Sequence, residues 1–276
     1  MNTKGSTTPT AATRRRSTVF IAALLAVAAA GCSRVSPEEH LRRANDDIVA
    51  RRYEDARKEY TAMLADLRGD DQGSQRYKRK ALYRMGRLHY LFMNQPEAAI
   101  DYLKQAVSVD PKAPLSFNSL TLMGRIYQDT LRDYPQAILA YQTAIAYFPR
   151  HRHIDRYHHR LIESYFKIGN MNQVRAEGMA SVLALPQSRH ADDILYLVAE
   201  ACLAERDKAQ AEKVLGMLIE RYSAGEWTQQ AHYELGELLE ERGRTDQALE
   251  QYELAVPGFR DSAVLKRKIA NLKAKR

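Results

Sequence analysis

A fixed spacing between sequence landmarks constrains the fold of this chain more than any other feature. A glycine, an alanine and a proline each recur 38 residues later. The pairs are Gly86 and Gly124, Ala99 and Ala137, and Pro111 and Pro149. Between these landmarks, apolar residues recur at the three- and four-residue spacing of amphipathic helices. A repeated helical unit cannot bury its apolar face alone and must stack on its neighbours, so the sequence predicts an all-α repeat array.

The landmark residues resemble the tetratricopeptide repeat (TPR), in which a large apolar residue precedes L-G-x2-Y, A-x3-F and a proline. The second copy reads Leu120, Met123-Gly124, Tyr127, Ala137, Tyr141 and Pro149. The first copy reads Leu82, Met85-Gly86, His89, Ala99, Leu103 and Pro111. The family's unit is about 34 residues long. We attribute the extra length to longer turns between the paired helices, at residues 92–97 and 128–136.

The resemblance extends over residues 39–259 and implies six repeats. They span about 39–68, 79–112, 117–150, 154–187, 192–223 and 229–259. The first repeat retains only the second-helix residues Ala56 and Tyr60, and the fourth has Gly178 where the pattern expects an aromatic residue. Residues 260–276 are expected to form a basic capping helix, which such arrays need for solubility. The implied fold is an all-α, right-handed TPR solenoid of about six helix pairs with a C-terminal capping helix.

The beginning of the chain has the composition of a bacterial export signal. Three consecutive arginines, Arg14 to Arg16, precede twelve apolar or small residues from Val19 to Ala30. This run is shorter than the about 20 apolar residues that span a bilayer. The sequence then reads Ala29-Ala30-Gly31-Cys32, which resembles the bacterial lipobox.

The lipobox resemblance implies a lipoprotein signal peptide over residues 1–31, lipidation of Cys32, and a short tether over residues 32–38. Ser33 after the cysteine favours sorting to the outer membrane. The alternative is a plain secretory signal in which Cys32 stays unmodified. Residues 1–31 contain four cations and no acid, so only +4 of the net charge of +8 lies beyond them. This small surplus argues against a nucleic-acid partner.

TPR arrays bind partners on a concave face formed by the first helix of each repeat, and the resemblance places the partner-binding groove there. In the N-terminal half the groove positions are Lys80, Tyr83, Arg87, Arg125, Arg156 and His159. In the C-terminal half they are Asp193, Tyr196, Glu200, Tyr233, Glu237, Glu240 and Glu241. The groove is therefore expected to be basic early, acidic late, and suited to peptides or proteins. Alternatively, these charges only solvate helix surfaces.

Four of the eight histidines lie within residues 149–160 and suggest an alternative function in metal binding. They are His151, His153, His158 and His159. Clustered imidazoles can bind zinc, nickel or copper. However, no cysteine or carboxylate completes a ligand set in this segment. We therefore expect a partly packed, partly solvated turn and neither a metal nor a cofactor.

The chain contains none of the short motifs of common enzymes: HExxH, GxSxG, a P-loop or a glycine-rich dinucleotide turn. Cys202 replaces an aromatic residue of its repeat and is expected to be buried. We therefore expect a non-enzymatic scaffold, anchored in the outer membrane, that binds other envelope proteins. A lipobox with five or more TPRs resembles the BamD-type subunit of the outer-membrane β-barrel assembly machine. Accessory lipoproteins of polysaccharide export, pilus assembly or cell-wall synthesis share the same anchor and fold.

Overall fold

The computed structural model describes residues 35–275, and every regular element in that range is a helix. A compact first unit ends at Gly69, and a second begins at Asp70. The described part of the first unit is a helix pair, α1 (Pro37–Val49) and α2 (Tyr53–Asp66). Among the described residues, no helix combines the length and apolar character needed to cross a membrane.

The second unit contains five more helix pairs and a terminal helix. The pairs are α3 (Gln72–Leu91) with α4 (Pro96–Val109), α5 (Pro114–Arg125) with α6 (Tyr134–Tyr147), α7 (Ile154–Lys167) with α8 (Met171–Ala184), α9 (Ala191–Ala204) with α10 (Lys208–Arg221), and α11 (Thr228–Glu241) with α12 (Thr245–Ala255). The terminal helix α13 spans Ser262–Ala274. The prediction of six helix pairs followed by a terminal helix is confirmed.

Three consecutive second helices begin with the same side-chain cap. Asp133, Asn170 and Asp207 each accept a hydrogen bond from the backbone N–H of the glutamine three residues later. Such a cap satisfies one of the backbone donors that the start of a helix leaves unpaired. The three caps lie 37 residues apart. The starts of these three second helices therefore repeat at one fixed spacing.

The extra length of the third repeat lies in a helix and not in a turn. Helix α5 continues as a π-helix over Ile126–Leu131, and only two residues separate this segment from α6. The expected long turn over residues 128–136 is therefore wrong. A π-helix forms i→i+5 hydrogen bonds and accommodates an additional residue per turn. Gln128 in this segment is buried, and its Oε1 accepts a hydrogen bond of 2.9 Å from the Tyr141 hydroxyl.

Glycines on the first helices allow large residues of the second helices to approach closely. A Cβ atom added to Gly124 would lie 2.3 Å from Cε1 of Tyr141, and one added to Gly236 would lie 2.6 Å from Cδ1 of Tyr252. Both tyrosines are completely buried. The small residue of the repeat pattern is thus a steric requirement for pairing the two helices.

Cys202 lies in the core of the second unit, as the sequence predicts. Its side chain is completely buried on α9. Burial disfavours the thiolate and raises the pKa of the thiol. Because the thiolate is the reactive form of cysteine, Cys202 acts here as a small apolar packing residue.

Candidate partner-binding surface

The predicted partner-binding residues all lie on the first helices of the five pairs in the second unit. They are Lys80, Tyr83 and Arg87 on α3, Arg125 on α5, Arg156 and His159 on α7, Tyr196 and Glu200 on α9, and Tyr233 and Glu237 on α11. The structure groups most of them in three places: a basic cavity, a histidine cluster and an acidic, aromatic region.

A cavity of about 290 Å³ opens among α3, α5 and α7. Its lining includes Tyr83, Arg87, Asn118, Thr121, Arg125 and Tyr157, and we call it the arginine cavity. This volume lies at the lower limit of the about 300 to 1,000 Å³ typical of small-molecule sites. The arginine cavity is therefore suited to a short stretch of a partner chain.

The two guanidinium groups of the arginine cavity are available to a ligand. Neither Arg87 nor Arg125 forms an ion pair within residues 35–275, whereas Arg160 nearby is paired with Asp129 at 2.9 Å. The guanidinium carbon of Arg87 lies 5.9 Å from the ring centroid of Tyr83, within the range of a cation–π contact. A guanidinium presents a planar set of donors that matches a carboxylate. The cavity thus offers two sites for carboxylate oxygens.

Two predicted basic residues lie outside this lining, and six unpredicted residues belong to it. Lys80 is half-buried and Arg156 is exposed, and neither lines the arginine cavity. Sequence reasoning missed the lining residues Tyr90, Leu91, Asn118, Thr121, Leu122 and Tyr157. Asn118 lies seven residues before Arg125, which is the spacing of residues on one face of a helix, so this periodicity could have identified it.

The second group places His159 against the start of the next repeat. The rings of His159 and His190 are stacked in parallel, with centroids 5.1 Å apart and planes inclined by 4°. Nδ1 of His190 lies 3.2 Å from Oδ2 of Asp193. Burial lowers the pKa of His159 and favours its neutral form. This predicted groove residue therefore belongs to a histidine cluster that joins α7 to α9.

The four histidines of residues 149–160 do not converge on one point. His151 stacks on Phe117 with ring centroids 3.5 Å apart, and His158 forms a hydrogen bond to a serine of α8. His153 is exposed, and His159 belongs to the separate histidine cluster. Within the described residues, these four histidines therefore do not form one common ligand group.

The third group joins α9 to α11 through aromatic side chains. Tyr196 stacks on Trp227 with ring centroids 4.1 Å apart and planes inclined by 10°. The Tyr196 hydroxyl donates a 2.6 Å hydrogen bond to Oε1 of Glu234, and Nε1 of Trp227 donates a 2.8 Å hydrogen bond to Oδ1 of Asp193. The aromatic pair thus fixes two carboxylates, one on each helix.

Two carboxylates near this aromatic pair are poorly solvated. Glu234 is buried, and its Oε2 has no hydrogen-bond partner within the described range. Burial raises the pKa of Glu234. Burial and the charge of Glu234 likewise raise the pKa of Glu200, which is half-buried on α9. A cationic side chain of a partner would relieve this unfavourable concentration of negative charge.

We expect Glu234→Gln to remove a pH-dependent loss of stability. Because the pKa of Glu234 is raised in the folded chain, its contribution to stability is present below the unfolded pKa and is lost as the pH rises through the folded pKa. From about pH 4 upwards, the free energy of unfolding of the wild type should therefore fall relative to that of the variant. Urea denaturation at several pH values measures this difference. Equal pH dependence in wild type, Glu234→Gln and the exposed control Glu250→Gln would contradict the expectation.

The acidic end of the predicted groove is covered by a cation of the terminal helix. Lys268 Nζ on α13 lies 3.3 Å from Oε1 of Glu237, 3.1 Å from Oε2 of Glu240 and 5.6 Å from the ring centroid of Tyr233. The Tyr233 hydroxyl donates a hydrogen bond to Glu237, and burial together with this bond raises the pKa of Tyr233 to about 12. Tyr233 and Glu237 are thus already engaged by the chain itself. Sequence reasoning did not identify Lys268, because the residues around it in the sequence do not indicate that it contacts Glu237 and Glu240.

Comparisons with known proteins identify the repeat unit. A family model described as tetratricopeptide repeat matches residues 80–112, which include most of α3 and all of α4. A second model with the same description matches residues 196–263, from α9 to the beginning of α13. A comparison with curated proteins finds no match.

Solved structures of TPR proteins have a similar fold. The MamA RS-1 ArsTM double mutant is 18% identical, with a TM-score of 0.50, and the match covers 69% of this chain and 96% of that one. YrrB, described as "a TPR protein with an unusual peptide-binding site", is 13% identical with a TM-score of 0.50, and the match covers 72% and 98%. PilF from Pseudomonas aeruginosa is 17% identical with a TM-score of 0.50, and the match covers 72% and 86%.

At sequence identities of 13 to 18%, these matches show a similar fold and no more. The matched repeat segments agree with the succession of helix pairs and with the close contacts between glycine and tyrosine inside the pairs. Residues 80–112 and 196–263 of this chain thus match the tetratricopeptide repeat, a unit typical of scaffolds that bind peptides or other proteins.

Proposed function

We propose that this chain is a lipid-anchored scaffold of the bacterial envelope that binds an extended, acidic segment of a partner protein in the arginine cavity. The observation that carries this proposal is the pair of guanidinium groups, Arg87 and Arg125, that have no ion pair within the described residues and share a cavity lining with Tyr83 and Tyr157. Arginine and tyrosine are among the side chains that contribute most to binding at protein interfaces.

The chemistry of the cavity favours carboxylates on an extended chain. Each guanidinium can form two parallel hydrogen bonds to one carboxylate, and such charge-assisted bonds are stronger than neutral ones. Asn118 lies on the same helix as Arg125 and offers both an amide donor and an acceptor to a partner backbone. No acidic side chain belongs to the lining. The description of YrrB as a protein with a peptide-binding site is consistent with this use of the fold.

The charge distribution along the first helices supports one orientation of the bound segment. Arg87 and Arg125 lie on α3 and α5, whereas Glu200 and Glu234 lie on α9 and α11. A segment with acidic residues at one end and a basic residue at the other would meet complementary charge at both ends. Charge complementarity of this kind mainly sets the orientation and the rate of association.

The proposed location rests on the order of residues at the start of the chain. Cys32 and the predicted signal peptide lie outside the described residues. A charged run, an apolar run and the lipobox-like Ala29-Ala30-Gly31-Cys32 together favour export and lipidation. Stable anchoring takes more than one acyl chain or a second membrane signal. The context we propose is an envelope assembly machine of the BamD type, with polysaccharide, pilus or cell-wall assembly as the alternatives.

Site-specific photo-crosslinking in the cells that produce the protein tests this proposal. A benzoylphenylalanine replaces Asn118 in the arginine cavity or, as the control, Lys213, which is exposed on the second helix α10. We expect one discrete crosslinked partner from position 118 and none from position 213. Fractionation of the same cells is expected to place the wild type in the outer membrane and Cys32→Ser in the soluble fraction.

The two readouts test separate parts of the proposal. Identical crosslinks from both positions, or none from position 118, would overturn the cavity as the binding site. Cys32→Ser in the same membrane fraction as the wild type would overturn the lipid anchor and leave the cavity unaffected.

A further inference from the structure

We propose that His159, His190 and Asp193 bind a divalent transition-metal ion of the zinc type, with Glu163 at the edge of the site. One donor atom from each of the three residues can be chosen so that all lie within 4.8 Å of one another. This site differs from the four-histidine alternative considered from the sequence, with which it shares only His159, and it departs from the expectation that the chain binds no metal. It is also separate from the arginine cavity, whose lining includes none of these residues.

The distances between donor atoms approach those around a bound zinc ion. Donors around a tetrahedral zinc ion with bonds of about 2.0 to 2.1 Å lie about 3.3 Å apart. Nδ1 of His190 and Oδ2 of Asp193 are 3.2 Å apart, and Nε2 of His159 and Oε1 of Glu163 are 3.9 Å apart. The His159 donor lies within 4.8 Å of the other two, so its ring must move closer to them when the ion binds.

The four side chains come from two rigid helices in consecutive repeats. His159 and Glu163 are spaced i,i+4 on α7, so they lie one turn apart on the same face. His190 is the residue before α9, and Asp193 lies in its first turn. The parallel stacking of the two imidazoles already holds these helix segments together. Because a metal lies in the plane of each imidazole that binds it, at least one of the two rings must rotate out of this stack to bind the same ion.

The surroundings prepare these ligands for a metal. Nε1 of Trp227 donates a 2.8 Å hydrogen bond to Oδ1 of Asp193 and leaves Oδ2 facing His190. A hydrogen bond of this kind orients a metal-binding carboxylate. Coordination through Nδ1 places the His190 proton on Nε2, so the exposed 3.3 Å hydrogen bond that Nε of Arg189 donates to Nε2 must open when the metal binds.

The ligand set and its exposure indicate the class of ion. Imidazole with carboxylate favours zinc, cobalt or nickel over calcium and magnesium, which prefer oxygen ligands. The side chains of His159, His190 and Asp193 are 17%, 19% and 26% exposed, so solvent reaches the site. Three protein ligands and a water molecule are typical of an open zinc site.

Titration of the metal-free full-length chain with zinc, followed by calorimetry, tests the proposal. We expect one equivalent to bind, and the same site to give a visible absorption band with cobalt. His159→Gln and His190→Gln should each weaken zinc binding at least about tenfold, which corresponds to about 1.4 kcal/mol. The matched control is His153→Gln, an exposed histidine outside the cluster that should leave binding unchanged. Circular dichroism of the metal-free variants confirms that each still folds.

Three outcomes would overturn the proposal. They are the absence of a stoichiometric site in the wild type, an unchanged zinc affinity in folded His159→Gln and His190→Gln, and an equal loss in His153→Gln. Because Arg87 and Arg125 stay intact in all these variants, none of the outcomes bears on the proposed binding of an acidic segment.

Discussion

Tyr141→Ala is expected to lower the free energy of unfolding by about 3 to 5 kcal/mol, the range for removing a large buried aromatic side chain. Tyr141 is completely buried between α5 and α6, where its ring fills the space left by Gly124. Its hydroxyl also donates a 2.9 Å hydrogen bond to the buried Gln128. The variant therefore creates a cavity and removes a hydrogen bond to the buried amide oxygen of Gln128.

Two further variants separate these contributions. Tyr141→Phe keeps the ring and removes only the hydroxyl, so a loss of about 1 kcal/mol is expected. Tyr147→Ala truncates a tyrosine that is 42% exposed at the end of the same helix, and a change within about 0.5 kcal/mol is typical of surface positions. Urea denaturation followed by circular dichroism measures all three. Equal losses for Tyr141→Ala and Tyr147→Ala would contradict the steric account of helix pairing.

Reversing both charges in the arginine cavity is expected to weaken partner binding by about 100-fold or more. Arg87→Glu combined with Arg125→Glu removes two sets of charge-assisted hydrogen bonds and places two negative charges against an acidic ligand. No ion pair of the folded chain within residues 35–275 is lost, because neither arginine forms one there. The dissociation constant of the segment captured from position 118, followed by fluorescence anisotropy, measures the effect.

The matched control changes the net charge equally at another surface. Lys104→Glu combined with Lys213→Glu alters exposed lysines on the second helices α4 and α10. We expect this variant to bind within a few-fold of the wild type at moderate ionic strength, where distant surface charges are screened. An equal loss in both double variants would show that overall charge, and not the arginine cavity, determines binding. An unfolding curve for each variant separates lost binding from lost structure.

The helix pairs could be predicted from the sequence because their main contact is local and repetitive. Gly124 and Tyr141 are 17 residues apart, and a small residue opposite a large one recurs in the last pair at Gly236 and Tyr252. Such a contact requires only that two adjacent helices pack closely. The fold therefore requires a small and a large residue at these two positions, and the repeat pattern of the sequence predicts both.

The turns between paired helices could not be predicted in the same way. Arg132 and Arg206 have φ values of 57° and 62° immediately before a capped helix, in the same left-handed conformation as Gly169. This conformation favours glycine, and an arginine adopts it only because the surrounding structure compensates its cost. The sequence therefore marks one of these three turns with glycine and leaves the other two without an obvious feature.

The candidate sites depend on contacts between repeats, which periodicity does not specify. Trp227 reaches Asp193 across 34 residues, and Lys268 reaches Glu237 across 31 residues. Both contacts depend on the rotation of each helix about its axis and on the rotamers of long side chains. Spacing correctly placed Arg87 and Arg125 on first helices, but it could not reveal that a single cavity brings them together.

The π-helical segment Ile126–Leu131 has a consequence for how repeats of this kind change in length during evolution. An inserted residue inside a regular helix would rotate every following side chain by about 100°. A π-turn absorbs the insertion locally, so the residues before and after it keep their faces. In this chain the absorbed residue also brings Gln128 to the hydroxyl of Tyr141. Helices as well as loops can therefore accept insertions here, and alignments that allow gaps only between helices will misplace such a repeat.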